Sequence, residues 1–275
     1  MLQPSKTLRR TLFYAFVLLA VLFWAFPILW VMLSSFKPDN QIISERIHLF
    51  FTPTLAHYRT IFSTHDFLHF LANSLIVSFC TTAVVFVASF LGAYSLSRFN
   101  TGGFFLVFAV MLTRVAPPAA VLMPYFLIFK VLNLNNTLTA LVVINVAQNL
   151  SFMLLMLKSF VDEIPYAIEE AAKIEGAGWF QTLYMLIFPL ARSGILTTSI
   201  FTFIFTWNEY LYAMVLCASN RVKTLPVAVG DFVTAYAIEW GPVFSAGTVI
   251  FLPILAMAFV VQKYIVKGLT LGAVK

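Results

Sequence analysis

Six long apolar stretches separated by short polar connections organise the chain, at about residues 11–35, 71–96, 103–125, 138–158, 193–217 and 244–266. A helix needs about 20 mostly apolar residues to cross the hydrocarbon core of a bilayer, and each stretch reaches that length. The pattern predicts an all-α, polytopic membrane protein with six transmembrane helices in one domain over residues 1–275. The first stretch follows Lys6, Arg9 and Arg10 as a signal peptide would. Its run from Thr11 to Phe36 is too long for one and lacks a small-residue cleavage site, so it reads as a retained span. Pro117, Pro118 and Pro124 interrupt the third stretch, whose outer end is expected to be kinked or unwound against protein or a wet cavity. The longest connections are 36–70, 159–192 and 218–243, and none is large enough for a separate soluble domain.

Composition agrees with lipid as the solvent. Hydrophobic residues make up 61% of the chain and charged residues 10%, against roughly 25% charged in soluble domains. The net charge of +6 is spread between apolar runs with no basic stripe, which argues against nucleic acid as a partner. Its distribution does set an orientation. With six spans, one side carries Lys6, Arg9, Arg10, Arg98, Lys158, Lys173, Arg192, Lys263, Lys267 and Lys275. The other carries only Lys37, Arg46, Arg59, Lys130, Arg221 and Lys223. The excess places both termini in the cytoplasm. Cys80 and Cys217 lie in apolar runs without metal spacing and are expected to be buried. His48, His57, His65 and His69 fall in the first external connection. They read as part of a solvated amphipathic helix, with no metal site.

The connection 159–192, SFVDEIPYAIEEAAKIEGAGWFQTLYMLIFPLAR, is then cytoplasmic. Pro165 suits a first helical turn, and Glu169, Glu170, Ala171, Ala172 and Lys173 favour helix. Gly176 and Gly178 end or bend it. A second helical stretch, 179–188, is expected to stop at Pro189. The result is a helix–turn–helix on the membrane face, with Ile168, Ala171 and Ala172 available to pack down.

Glu170-Ala171-Ala172, Gly176-Ala177 and Ile187 with Pro189 resemble the EAA loop of ATP-binding-cassette (ABC) importer permeases. Glu175 departs from the usual Asp. The resemblance runs along nearly the whole chain. Asn73-Ser74-Leu75, Pro117-Pro118, Pro124-Tyr125, Leu134 to Thr137, Trp207 to Leu211 and Thr224 to Val227 are similar to the carbohydrate-importer branch. So is the tail Gly268 to Lys275, which is like that of the maltose-type second permease subunit. It implies a type I importer fold in a bacterial inner membrane, moving a sugar or sugar derivative inward by alternating access. It implies as partners a second and different permease chain, two ATP-hydrolysing subunits and an extracytoplasmic solute-binding protein. Glu169, Glu170, Ala171, Ala172, Glu175 and Gly176 would couple to the ATPase. ATP and Mg would be bound by the partners. The chain itself has no G-x-x-x-x-G-K-[ST] loop and no catalytic constellation, so it is expected to be no enzyme and to hold no cofactor.

Polar residues within the spans are the candidates for a substrate path. Asn145, Gln148 and Asn149 share one helical face by their i, i+3, i+4 spacing. They either line the path or tie helices together. Trp207, Asn208, Glu209 and Tyr210 join stacking faces to groups that bond hydroxyls, and an interfacial aromatic belt is the competing reading. Glu209 needs a cavity or a cation, and Arg114 is the available one; left unpaired, Arg114 would suit an anionic solute. In the loop 218–243, Arg221, Asp231 and Glu239 are candidate contacts to the binding protein. An ion-coupled secondary transporter would need paired carboxylates or inverted repeats, but Glu209 is the one clear intramembrane carboxylate. A membrane-embedded enzyme would need a nucleophile–base or metal set that is missing.

Overall fold

A computed structural model describes residues 6–64, 66–234 and 236–271. In chain order its α-helices are α1 (Lys6–Ser34), α2 (Asp39–Ile42), α3 (Ala56–Thr64), α4 (Phe67–Arg98), α5 (Gly103–Leu112), α6 (Pro118–Val131) and α7 (Leu138–Asp162). There follow α8 (Tyr166–Ile174), α9 (Trp179–Gln181), α10 (Phe188–Leu190), α11 (Arg192–Trp207), α12 (Leu211–Leu216), α13 (Leu225–Val229) and α14 (Trp240–Leu271). Four segments, Arg9–Ser34, Phe67–Arg98, Leu138–Asp162 and Trp240–Phe259, are long and apolar enough to cross a bilayer unaided. Among the described residues, β-pairing is limited to one bridge between Val233 and Ile238.

The other two apolar stretches form broken helices. The third divides in its middle rather than kinking at its outer end. Its helix stops at Leu112, resumes with Pro118 in the first turn, and continues through Pro124 to Val131. Pro118 lacks an N–H that a first turn leaves unbonded anyway, so it starts a helix rather than ending one. The fifth runs to Trp207, opens over residues 208–210 and restarts at Leu211. The helical path after Gly178 also passes the expected stop. A π-helical segment, Thr182–Ile187, carries it through Pro189 to Leu190. The wider turn accommodates the proline ring and its missing N–H. At Ala191 the path then bends by 76° into α11.

The chain forms two compact units. The first holds the residues up to Asp66 together with Val229–Leu252. There α1 leaves most of its apolar side chains exposed, with Phe16, Phe23 and Trp24 each more than 70% accessible, as expected where lipid is the solvent. Its last turn is fastened by side chains. Ser35 shares a 2.8 Å hydrogen bond with the Tyr58 hydroxyl, and His57 Nε2 lies 2.8 Å from the Lys37 carbonyl. His57 is therefore buried, not solvated. His65 lies outside the described residues, and the helix carrying His57 has ended by Thr64, before the one carrying His69 begins. Lys37, also buried, places its ammonium 4.2 Å from the Trp30 ring centre.

The second unit holds Phe67–Ala228 and the residues from Pro253 onward. It is built around α4, α7 and α11. One apolar cluster joins Val85, Phe90 and Ala93 of α4 to Met153, Leu157 and Val161 of α7, and to Leu183, Ile187 and Ile195 near the 76° bend. A second joins Val77, Leu141 and Ile144 to Phe129, Tyr212 and Leu216. Buried Ser78, Thr81, Ser89, Thr198 and Thr202 stand at the helix contacts, where small polar residues allow close packing in a membrane. Cys217 is buried as expected, but Cys80 is exposed on α4.

Candidate functional site

The connection 159–192 folds as a short helix and a reversal. Pro165 precedes the first turn of α8, and Glu169 places negative charge near the positive end of the helix dipole. Gly176 closes the helix at φ +84°, a left-handed conformation open to glycine at no steric cost. Its N–H donates to the Lys173 carbonyl at 3.0 Å, and the Ala177 N–H donates to Ala172 at 2.9 Å. This pair of bonds is a Schellman closure, which fixes the turn after the helix.

The two adjacent glutamates point in opposite directions. Glu170 is exposed, together with Ala171, Lys173, Ile174 and Glu175. Glu169 is 1% accessible. One of its carboxylate oxygens is paired with Arg98 Nε, and the other accepts a 2.9 Å hydrogen bond from Tyr94. Arg98 also donates to the carbonyls of Val161 at 3.0 Å and Ile164 at 2.8 Å, and to Ser97 Oγ at 3.1 Å. Ser97 in turn bonds Asp162, which is paired with Lys158 at 2.7 Å. One guanidinium at the end of α4 thus holds the end of α7 and the inner face of α8. Ala172 is buried, while Ile168 and Ala171 remain exposed instead of packing down.

At the opposite end of α4, three side chains hold the connection after α12. Asn73 donates to the Arg221 carbonyl at 3.2 Å and to Lys223 at 2.9 Å. His69 Nε2 lies 2.7 Å from the Arg221 carbonyl, and Ser74 accepts from the Leu225 N–H at 2.8 Å. Asn136, at φ +61°, accepts from the N–H of Ser219 at 3.0 Å and from its hydroxyl at 2.9 Å. In the sequence Asn73, Ser74 and Asn136 stand only as points of resemblance, His69 as part of a solvated amphipathic helix and Arg221 as a candidate contact to the binding protein. Side chains opposite unpaired loop backbone are their physical role.

The amide face divides. Asn145 and Asn149 are buried and return their amide protons to the carbonyls of Leu141 and Asn145, each at 2.9 Å. Gln148 is partly accessible and donates to the Tyr212 hydroxyl at 2.8 Å. Trp207 is 1% accessible and stacks on Phe203 within the helix packing. Asn208 and Tyr210 are exposed at the break. Glu209 does not meet Arg114. Its carboxylate accepts from the backbone N–H groups of Tyr212 at 2.7 Å and Ala213 at 3.0 Å, capping α12. Arg114 lies exposed in the 113–117 break, 3.4 Å from the Gln148 carbonyl and over the Phe152 ring. Among the described residues no carboxylate pairs with it. The two breaks therefore flank the partly open side of Gln148. Arg221 is exposed in the second unit, and Asp231 and Glu239 are exposed in the first.

Capping predicts a local effect. Glu209→Ala should cost about 1 kcal/mol and speed amide exchange over Leu211–Leu216, leaving α11 unchanged. Hydrogen exchange read by mass spectrometry checks this.

The family model described as "Binding-protein-dependent transport system inner membrane component" matches residues 84–271, which include the α8 reversal and both breaks of the second unit. The chain belongs to this family. It is 34% identical to the inner membrane ABC transporter permease protein YcjP of Escherichia coli, over 100% of both chains. It is 32% identical to the trehalose/maltose transport system permease protein MalG of Thermococcus litoralis, over 98% of this chain and 99% of that one. Its fold is that of a chain in the crystal structure of a bacterial ABC transporter involved in the import of the acidic polysaccharide alginate. That match has a TM-score of 0.80 at 22% identity, covering 96% and 99% of the two chains. The chain is accordingly a transport permease subunit of the ABC importer type. Its tail from Gly272 lies outside the described residues.

Proposed function

We propose that this permease is one half of the membrane gate of an ATP-driven, binding-protein-dependent importer of a sugar or sugar derivative in a bacterial inner membrane. The observation that carries the reading is the outward face of α8, with Glu170, Ala171 and Glu175 exposed and rigidly closed by Gly176. In this chain that charged face, on a short helix closed at its C-terminal end, makes no ion pair among the described residues. It suits a groove on an ATP-hydrolysing partner. ATP and Mg belong to two such partners, a second permease chain completes the gate, and a solute-binding protein delivers from outside. Both termini then lie in the cytoplasm. The full-length similarity to a trehalose/maltose permease supports a carbohydrate as cargo. ATP and the loaded binding protein act by favouring one of two gate states.

Import of radiolabelled oligosaccharides into cells expressing the whole system is the test. ATP depletion should abolish it, and a proton uncoupler applied with ATP maintained should not. Uncoupler sensitivity at constant ATP would instead identify an ion-coupled carrier. Arg114, exposed without a carboxylate partner, favours an anionic group on the sugar as a second reading. On it, Arg114→Gln should raise the concentration for half-maximal import of a uronic oligosaccharide about tenfold or more, and leave import of a neutral one unchanged.

A further inference from the structure

α4 is a helix of 32 residues, Phe67–Arg98, with no proline in it. At 1.5 Å per residue it is about 48 Å long, which exceeds the ~30 Å hydrocarbon core. Its two ends therefore emerge on opposite sides of the membrane. Each end is fastened to a different connection, by a different set of side chains. At the inner end, Arg98 and Tyr94 hold Glu169 on the inner face of α8. At the outer end, Asn73, His69 and Ser74 bind the backbone of residues 221–225. The inner attachment engages the buried Glu169 carboxylate, and the outer one engages backbone groups of residues 221–225. α8 is the face proposed for the ATPase partner. Residues 221–225 include Arg221, a candidate contact for the binding protein.

We infer that α4 is a tie-rod: through Arg98–Glu169 at one end and Asn73 at the other, it carries displacement of α8 directly to the external segment 219–226. The inference rests on the proposal that α8 docks an ATPase. It adds a route within this one chain, by which nucleotide state is felt at the outer surface without passing through the broken spans. The two broken spans interrupt their helices at 113–117 and 208–210, where turn bonds such as Arg114 N–H to Met111 and Glu209 N–H to Thr206 replace the continuous helix, and motion is absorbed there. α4 has no such break, so motion at one end appears at the other. Coupling of this kind is a free energy shared by the two ends and is reciprocal for binding.

The experiment uses the assembled complex in lipid nanodiscs, with a non-hydrolysable ATP analogue and Mg as the probe. Hydrogen exchange is followed over 166–174 and 219–226. In the unaltered complex the analogue should change exchange at both segments. In Asn73→Ala the change should persist at 166–174 and fall about fivefold or more at 219–226. In Arg98→Met/Glu169→Leu, which removes both charges together, the change at 219–226 should fall likewise, while exchange there without nucleotide stays as in the unaltered protein. Arg98→Lys serves if that double variant does not assemble. It retains the charge but not the fork that binds Glu169 and the two carbonyls at once, and it should give a partial loss. A full nucleotide response at 219–226 in Asn73→Ala overturns the inference, as does a full response in the inner-end variant. So does an unaltered complex in which only 166–174 responds. If nucleotide changes neither segment while import proves uncoupler-sensitive, the ATPase-docking reading has failed, and the tie-rod with it.

Discussion

Arg98→Met destabilises the permease by about 3–5 kcal/mol, the largest loss expected of any single substitution considered. Glu169 is 1% accessible, and among the described residues Arg98 is its one cationic partner. Removing the guanidinium leaves a buried carboxylate held only by the Tyr94 hydroxyl. It also leaves the carbonyls of Val161 and Ile164 without their side-chain donor. An unpaired buried charge costs far more than an intact pair contributes, because desolvation is no longer offset. Arg98→Met/Glu169→Leu should therefore recover most of the loss, since no charge remains to solvate. Denaturant titration of the purified complex, read by the circular dichroism of its helices, measures both. A double variant as unstable as the single one would mean that Arg98 acts through the two carbonyls rather than through Glu169.

Gly194→Ala destabilises by about 1–3 kcal/mol and slackens the bend that follows the α8 reversal. Gly194 lies in the first turn of α11, just after the 76° bend at Ala191. A methyl group there would overlap the root of the Phe160 ring on α7, Cγ included. The ring's root cannot swing aside as the tip of a flexible chain would, so α7 and α11 must separate. Glycine here serves close approach of two helices, as small residues do at membrane helix contacts. Phe160→Ala removes Cγ and the ring, so Gly194→Ala added to that variant should cost little. The loss is read from the same titration, and slackening from increased exchange over Leu183–Ile195.

Hydropathy alone located the apolar segments, because lipid demands continuous apolar length and that demand is written locally. It could not tell an unbroken span from a broken one. Residues 103–125 and 193–217 satisfy the same length rule as 71–96, yet they divide at 113–117 and 208–210. Backbone freed there is tolerated only where surrounding protein or water receives it, a condition set by neighbours far along the chain. The α8 reversal was legible down to Gly176, since helix formers, a preceding proline and a glycine stop are all local chemistry. The roles of its two glutamates were not. Glu169 and Glu170 look alike in sequence, and a rotation of about 100° per residue on the helix sends one into the protein and the other out. The partner that decides the matter, Arg98, stands 71 positions away. There it read only as one more cytoplasmic positive charge. The amide face divides: Asn145 bonds within α7, Asn149 bonds within α7 and to Thr206 of α11, and Gln148 reaches Tyr212 beside the second break.

A helical membrane protein with a charged, glycine-closed reversal between apolar segments is written locally in the chain, because bilayer thickness and helix capping act over a few turns. Tertiary structure decided which of those charges serve the fold and which face outward, where the spans break, and what α4 holds at each end. Those outcomes depend on which buried groups can find a partner across the bundle, and in a membrane interior that partner must come from elsewhere in the protein.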